Sequence, residues 1–126
     1  MREVCFIIAG EQILRIYFGS QTVIPDSRVR WNVLWNHREE ITEIAHTHPG
    51  GFLGFSQTDE TTMEAVEAGT GRSFAWSIVT RAGYLVRDDG KEINPTQDAW
   101  WLEPLRELSF GSGLESRAVP CRTAAV

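Results

Sequence analysis

The chain has few cysteines for its length. Only two occur among 126 residues, Cys5 in an apolar stretch and Cys121 close to the C-terminus. Two thiols cannot build the network of disulfides that holds small secreted domains together. A disulfide-rich extracellular protein is therefore excluded, and a reducing compartment is expected.

Basic residues are also scarce. Lys and Arg number 12 against 17 Asp and Glu, which gives a net charge of -5 and an isoelectric point near 5.1. Proteins that bind nucleic acid or anionic membranes present basic faces to them, so neither is expected as the main partner. The acidic balance is compatible with a partner that presents a basic surface.

Long hydrophobic runs are absent as well. No segment approaches the ~20 apolar residues that cross a bilayer, and the N-terminus lacks a signal-peptide core followed by a small-residue cleavage site. We therefore expect no membrane association and a cytoplasmic location. Hydrophobic residues make up 42% and charged residues 23%, as in ordinary globular proteins, and the length fits one domain.

The hydrophobic pattern predicts an α/β (α+β) chain with a mixed central sheet flanked by helices. Residues 4–9 form a continuous apolar run typical of a buried strand, and 13–18 follow as its hairpin partner. Pro25-Asp26-Ser27 indicates a helix start. Residues 28–40 alternate as a strand would, but their i, i+4 apolar pairs also suit a helix, which we favour.

The rest of the chain continues this pattern. In chain order we predict a strand at 41–46, a helix at 58–68 that stops at Gly69-Thr70-Gly71, strands at 73–80 and 84–87, and a short amphipathic helix at 98–108 kinked or broken by Pro104. The domain prediction is a core over 1–95, a C-terminal short helix within 96–110 and a mobile tail over 111–126.

One run of residues has the composition of a metal site. His-Thr-His-Pro occupies 46–49, and Ser-Gln-Thr-Asp follows at 56–59. On a strand, His46 and His48 project from the same face because side chains alternate. Two glycines after the proline allow the chain to turn, and Ser56 can start a helix whose first turn carries Asp59 back to the histidines.

A site of two histidines and one aspartate suits catalytic zinc. Structural zinc is closed by four protein ligands and is usually rich in cysteine, whereas hydrolytic zinc has three protein ligands and a water. Zinc lowers the pKa of that water to roughly 7, so that hydroxide is available at neutral pH. The sequence therefore predicts one Zn²⁺ held by His46, His48 and Asp59.

Each of these residues also has an ordinary structural explanation. Two histidines at a strand end are more often surface or hydrogen-bonded side chains than ligands, and Ser56 with Asp59 forms a capping box. Their combination at this spacing favours the metal site, and Ser56 is compatible with both roles. His37 lies in a polar run and is expected to be solvated.

The run His-Thr-His-Pro, six residues, then Ser-x-x-Asp resembles the signature of the JAMM metalloproteases, also called MPN-plus proteases, at every position. The similar region extends from about residue 2 to about residue 93. The resemblance implies the cytidine-deaminase-like JAMM/MPN core, the same zinc ligands, and Ser56 as the residue that steadies the oxyanion. The compact length is most similar to small prokaryotic JAB-type members.

The resemblance also implies a general acid/base. Family members carry a glutamate on the first core strand, seven residues before a glycine, and Glu3 with Gly10 matches that pattern. Glu3 would then exchange protons with the zinc-bound water. Members usually have a helix before this strand, whereas here the strand begins almost at Met1.

Other glutamates also precede the motif. Glu43 is three residues before His46, so a regular strand points it to the opposite face from the ligands. Glu11 lies in a predicted turn, and Glu39 with Glu40 closes a polar stretch, so each has a solvent-facing explanation.

The implied activity is hydrolysis of a peptide or isopeptide bond. JAMM proteases cut after the C-terminal glycine of ubiquitin or ubiquitin-like proteins, and an extended Gly-Gly segment suits a narrow cleft. Small prokaryotic members are often encoded beside ubiquitin-like, E1-like and E2-like proteins, or process sulfur-carrier proteins. A ubiquitin-like substrate is therefore the expected partner.

Two other readings stay open. One is a non-catalytic scaffold of the same fold, as in MPN-minus subunits, which bind partners but have lost ligands. The other is a different zinc hydrolase, such as a deaminase, although the Pro-Cys-x-x-Cys element of zinc deaminases is missing from the sequence.

Overall fold

The computed structural model describes residues 1–19 and 28–111. Within this part of the chain, six strands form one mixed sheet with helices on both faces. The elements are β1 (Val4–Ala9), β2 (Gln12–Phe18), α1 (Arg28–Asn36), β3 (Glu43–Thr47), α2 (Gln57–Thr70), β4 (Ala75–Val79), β5 (Tyr84–Asp88), β6 (Lys91–Ile93) and α3 (Leu102–Phe110). This confirms the predicted class, a mixed central sheet flanked by helices. The predicted helix start at 25–27, Cys121 and the predicted tail from 112 onward lie outside the described residues.

The strands follow the order β2-β1-β3-β4-β5-β6. β3 and β4 pair in parallel, and α2 forms the crossover that such a pair requires. The other neighbouring strands are antiparallel. β1 and β3 are aligned with Cys5 opposite His46. The candidate ligands therefore lie at the end of a central strand and at the start of the helix that follows it.

The central strands β1, β3 and β4 are buried on both faces, which explains the continuous apolar run of β1. One cluster, on the face covered by α1 and α2, contains Cys5, Ile7, Val33, Leu34, Ile41, Ile44, Met63, Val66, Phe74 and Trp76. The other, under α3, contains Val4, Phe6, Ile8, Ala45, Val79, Trp101, Leu102 and Leu105. Alternate residues of β1 supply the two clusters, as expected for a strand between two layers.

One predicted detail of the helices was wrong and another is confirmed. Pro104 does not kink a helix, because α3 begins at Leu102 and places the proline in its first turn, where no backbone N–H is needed. The helix predicted to stop at Gly69-Thr70-Gly71 ends at Thr70 and is capped by Gly71 with φ of 70°, so the stop is confirmed although the helix runs two residues past the predicted bound at 68. A Cβ at Gly69 would lie 2.7 Å from the Trp31 ring, so this glycine allows the helix to approach α1.

The connection after α1 and the last strand also differ from the sequence prediction. The helical preference for residues 28–40 is confirmed, but α1 ends at Asn36. The next residues form a turn in which the N–H groups of Glu40 and Ile41 both donate to His37 O. Ile41 is then buried in the core.

β6 was not predicted, because its three exposed residues carry no hydrophobic alternation. None of the helices in the described ranges is long and apolar enough to cross a membrane.

Candidate metal centre

Two histidines leave the end of β3 toward the same side of the sheet. His46 lies within the strand opposite Cys5, and the backbone N–H of His48 donates to Val79 O at 2.9 Å. That bond extends the alignment of β3 with β4 by one residue beyond the strand, so both histidines share one face. Both are buried, with exposed fractions of 7% and 8%.

Their side chains converge on Asp59. The Nε2 atoms of His46 and His48 are 3.2 Å apart. His46 Nε2 is 3.0 Å from Asp59 Oδ1, and His48 Nε2 is 3.1 Å from Asp59 Oδ2. Candidate ligand atoms from the three residues all lie within 4.8 Å of one another. The predicted trio therefore forms one buried group that could hold a metal ion.

The capping box of α2 orients Asp59. The Ser56 side chain accepts from the Asp59 backbone N–H at 3.1 Å, and the Ser56 backbone N–H donates to Asp59 Oδ2 at 2.8 Å. These reciprocal bonds satisfy two donors at the start of the helix and direct the carboxylate toward the histidines. Because the Ser56 hydroxyl accepts in its cap bond, its own hydrogen can still be donated.

The protonation of the group follows from burial and from these contacts. Burial by itself raises the pKa of Asp59, but hydrogen bonds from His46 and His48, the charge of His46 and the Ser56 N–H outweigh it and hold that pKa well below its usual range. Burial lowers the pKa of His48, whereas its bonds to Asp59 and Phe52 and the charges of Asp59 and Glu3 raise it above the ordinary value. Asp59 is therefore a carboxylate at neutral pH.

A backbone carbonyl determines which nitrogen of His48 faces the group. His48 Nδ1 donates to Phe52 O at 2.8 Å, so Nδ1 carries a proton and Nε2 is the nitrogen that faces Asp59. Nε2 is therefore the nitrogen that would bind a metal, with Nδ1–H held by an outer partner as in other metal-binding histidines. The Phe52 ring also stacks beside the imidazole, with centroids 6.1 Å apart and planes 13° apart.

Glu3 lies beside the same end of the sheet. Continuing the antiparallel alignment of Cys5 with His46 places Glu3 across from His48, and its charge contributes to the raised pKa of His48. Glu3 O accepts from Gly19 N at 3.0 Å. Val4 N donates to Thr47 Oγ1 at 3.0 Å, so backbone hydrogen bonds hold the start of β1 in place.

The competing glutamates lie elsewhere. Glu43 accepts a hydrogen bond from Ser77 Oγ and interacts with Trp101, which belongs to the cluster under α3; this confirms that it points away from the histidines. Glu39 pairs with Arg72, and Glu40 pairs with His37.

Sequence reasoning missed two contributors to this geometry. The carbonyl of Phe52 has no sequence signal, because every residue carries one. The second is Arg106, which bonds the carbonyls of Thr80 and Gly83 in the turn beside the site. Nothing in the sequence connects an arginine on a C-terminal helix with the histidine motif.

The chain was compared with models of known protein families and with curated protein sequences. No family model matches it, and no curated protein matches it.

Proposed function

We propose that the chain is a zinc-dependent isopeptidase or peptidase of the JAMM type, which cleaves after the C-terminal glycine of a ubiquitin-like protein. The observation that carries this proposal is the convergence of His46, His48 and Asp59 within one buried group. The resemblance of the 46–59 motif to the JAMM signature supports the choice of chemistry, and the mixed sheet with its flanking helices is compatible with a JAMM/MPN core.

The spacing of the donor atoms fits zinc. Two ligands bound to one tetrahedral zinc at about 2.0–2.1 Å lie roughly 3.3 Å from each other. The three contacts among the histidine Nε2 atoms and the Asp59 oxygens measure 3.0–3.2 Å, so small shifts would admit the ion. Two imidazoles and one carboxylate also match the donor sets of hydrolytic zinc, which leave one position open.

When bound, zinc would activate water and polarise the carbonyl of the scissile amide. The residues of the chain would supply the remaining functions. Glu3, across from His48, is suited to accept a proton from the attacking water and pass it to the departing amine. The Ser56 hydroxyl is suited to donate to the oxyanion, and Asp59 stays ionised because the histidines and the Ser56 N–H stabilise its charge.

The proposed substrate is the C-terminal glycine segment of a ubiquitin-like protein, joined to lysine or to a C-terminal extension. An extended glycine segment can enter a cleft that side chains would block. The acidic balance of the chain, with a net charge of -5, favours a partner with a basic surface. E1-like and E2-like proteins are the proposed functional neighbours, and a cytoplasmic location is part of the same proposal.

A non-catalytic scaffold is the second candidate. Glu3 is only half-buried and lies before the first residue of β1, so the core encloses it less than it encloses the three buried candidate ligands. A scaffold would keep the fold and the ubiquitin-like partner but would not turn over substrate.

The first test is the zinc content of the purified protein by elemental analysis. We expect about one zinc per chain in the wild type and loss of zinc in His48→Ala, because a three-ligand site deprived of one ligand binds weakly. His37→Ala is the matched control, since His37 pairs with Glu40 away from the site. No zinc in the wild type after zinc is supplied, or full zinc in His48→Ala, would contradict the site.

Turnover separates the two candidate functions. Zinc-loaded wild type should release ubiquitin-like proteins from fusions that carry a peptide or a lysine-linked amine after the terminal glycine. Binding of those fusions with no cleavage, in protein that contains stoichiometric zinc, would favour the scaffold.

A further inference from the structure

Thr47 lies between the two histidines of the motif, but its side chain faces the other side of the sheet, because side chains alternate along a strand. There it is fully buried and meets Ser109, from the last turn of α3. We propose that these two residues, the hydroxyl pair, are positioning residues that fix the backbone of Glu3, the proposed general acid/base. The inference deepens the proposed function and rests on it only for its consequence in catalysis.

Glu3 lies at the margin of the sheet. It is half-buried and comes one residue before β1. A residue has two soft backbone dihedral angles, and these are set by the orientations of the peptide groups before and after its Cα. The peptide group before Glu3 contains Arg2 O, and the peptide group after it contains Val4 N. Hydrogen bonds to these two atoms therefore determine the direction in which the Glu3 side chain leaves the backbone.

Both peptide groups are bonded to the hydroxyl pair. Ser109 Oγ donates to Arg2 O at 2.5 Å, and Val4 N donates to Thr47 Oγ1 at 3.0 Å. The two hydroxyl oxygens are themselves 2.8 Å apart. Both hydroxyl residues are buried, with exposed fractions of 0% for Thr47 and 1% for Ser109, so water does not compete for these bonds. The hydroxyl pair therefore holds the backbone on both sides of Glu3.

The number of hydrogens joins the four groups into one chain. Arg2 O can only accept and Val4 N can only donate, whereas each hydroxyl has one hydrogen to donate. Because the Ser109 hydrogen goes to the carbonyl, the Thr47 hydroxyl supplies the hydrogen between the two oxygens. Bonds in such a chain strengthen one another in a buried setting. Loss of either hydroxyl should therefore weaken the bonds on both sides of Glu3.

The attachment of α3 to the sheet does not depend on the hydroxyl pair. Leu102 and Leu105 of α3 are buried in the core, and Arg2 N donates to the backbone carbonyl of Ser109 at 2.9 Å. These contacts remain when the Ser109 side chain is shortened. Removal of its hydroxyl should therefore leave α3 in place and act mainly on the backbone around Glu3.

The first test measures this backbone by NMR in zinc-free protein. In Ser109→Ala, the Val4 amide should exchange with solvent roughly tenfold faster, the scale of one weakened hydrogen bond, although Ser109 does not bond Val4 directly. Exchange is taken relative to the slowest amides of β3, which report global unfolding. The three-bond coupling between the amide and α hydrogens of Glu3, which reports its φ, should also change. If either value stays at wild type in folded Ser109→Ala, the proposal is overturned.

Ser77→Ala is the matched control for this measurement. Ser77 is also fully buried and lies on the same face of the neighbouring strand β4, but its hydroxyl donates to Glu43. Its removal deletes a buried hydrogen bond without touching the hydroxyl pair. The relative exchange of the Val4 amide and the Glu3 coupling should therefore match wild type in Ser77→Ala.

The second test measures turnover of zinc-loaded protein. Ser109→Ala keeps all three candidate ligands, so it should hold about as much zinc as wild type. Its kcat should fall about 10–100-fold, because a displacement of about 1 Å in a reacting group can cost a hundredfold, and its KM should stay within about twofold. A wild-type kcat, with or without a change in KM, would overturn the proposal.

Two further comparisons separate positioning from a general structural role. Because the hydroxyl pair acts through Glu3, adding Ser109→Ala to Glu3→Gln should lower kcat no further; a second loss of similar size would contradict the assignment. Thr47→Ser keeps the hydroxyl and should retain more turnover than Thr47→Val, which keeps the size of the side chain but not the hydroxyl; the opposite order would also contradict it. If zinc-loaded wild type has no turnover, the proposed function fails, while the NMR measurements still decide whether the hydroxyl pair fixes Glu3.

Discussion

Replacement of Ser56 separates its helix-capping role from its proposed catalytic role. Ser56→Ala removes the bond from the Asp59 N–H to the Ser56 side chain, 3.1 Å long, but keeps the bond from the Ser56 N–H to Asp59 Oδ2. Loss of a serine N-cap typically costs about 1 kcal/mol. Because Asp59 is only 2% exposed, its N–H would gain little hydration, and we expect a cost of roughly 1–2 kcal/mol.

The assay is urea unfolding of the zinc-free protein, followed by tryptophan fluorescence. Ser56→Ala should have a lower free energy of unfolding with an unchanged dependence on urea, and a melting temperature lower by about 4 °C per kcal/mol. Ser56→Asn is the control, because asparagine caps helices about as well as serine but has no hydroxyl. An unfolding free energy of Ser56→Ala within about 0.3 kcal/mol of wild type would refute the capping argument.

The same pair of variants then addresses catalysis. If the hydroxyl donates to the oxyanion, zinc-loaded Ser56→Ala, which offers no donor, should lose turnover on the order of a hundredfold, the scale of one oxyanion donor, whereas the amide N–H groups of Ser56→Asn can replace that donor. Wild-type turnover in folded, zinc-loaded Ser56→Ala would leave Ser56 with the capping role alone.

The remaining predictions concern two glutamates. Glu3→Gln should keep stoichiometric zinc and lower turnover on the order of a hundredfold or more; wild-type turnover would assign proton transfer to another carboxylate. Burial raises the pKa of Glu43 despite its hydrogen bonds to Ser77 and Trp101, so Glu43 ionises at a lower pH in the unfolded chain than in the folded protein. Wild type therefore loses stability as the pH rises from the pKa of Glu43 in the unfolded chain to its pKa in the folded protein. Glu43→Gln removes this loss, and its stability relative to wild type should increase from pH about 4 upward, as measured by urea unfolding at several pH values; a difference that does not change with pH would contradict the raised pKa.

The sequence was sufficient to place the strands and helices that surround the candidate metal centre. β1 is buried on both faces and α2 has strong start and stop signals, so both were recognisable. The spacing of His46, His48 and Asp59 also predicted that they meet, because the alternation of side chains along a strand and the geometry of the first helical turn both depend on local sequence.

The features that sequence reasoning missed depend on tertiary contacts. Gly69 lies inside α2 with the Trp31 ring in the space beside it, and no sequence pattern shows that contact. Pro104 was predicted to kink or break a helix, and only the start of α3 at Leu102 shows that it lies in the first turn. The Phe52 carbonyl and the Arg106 bonds to residues 80 and 83 join segments that no local pattern connects.

Hydrogen bonds between the two ends of the described chain affect the order in which parts of the protein become fixed during synthesis. Arg2 N donates to Ser109 O, Arg2 Nε donates to Leu108 O, and Ser109 Oγ donates to Arg2 O across 107 positions of sequence. On the ribosome, His46, His48 and Asp59 emerge together, whereas the residue beside Glu3 gains these partners only after α3 has been made. The nascent chain therefore carries the three candidate ligands well before these hydrogen bonds hold the segment that contains Glu3.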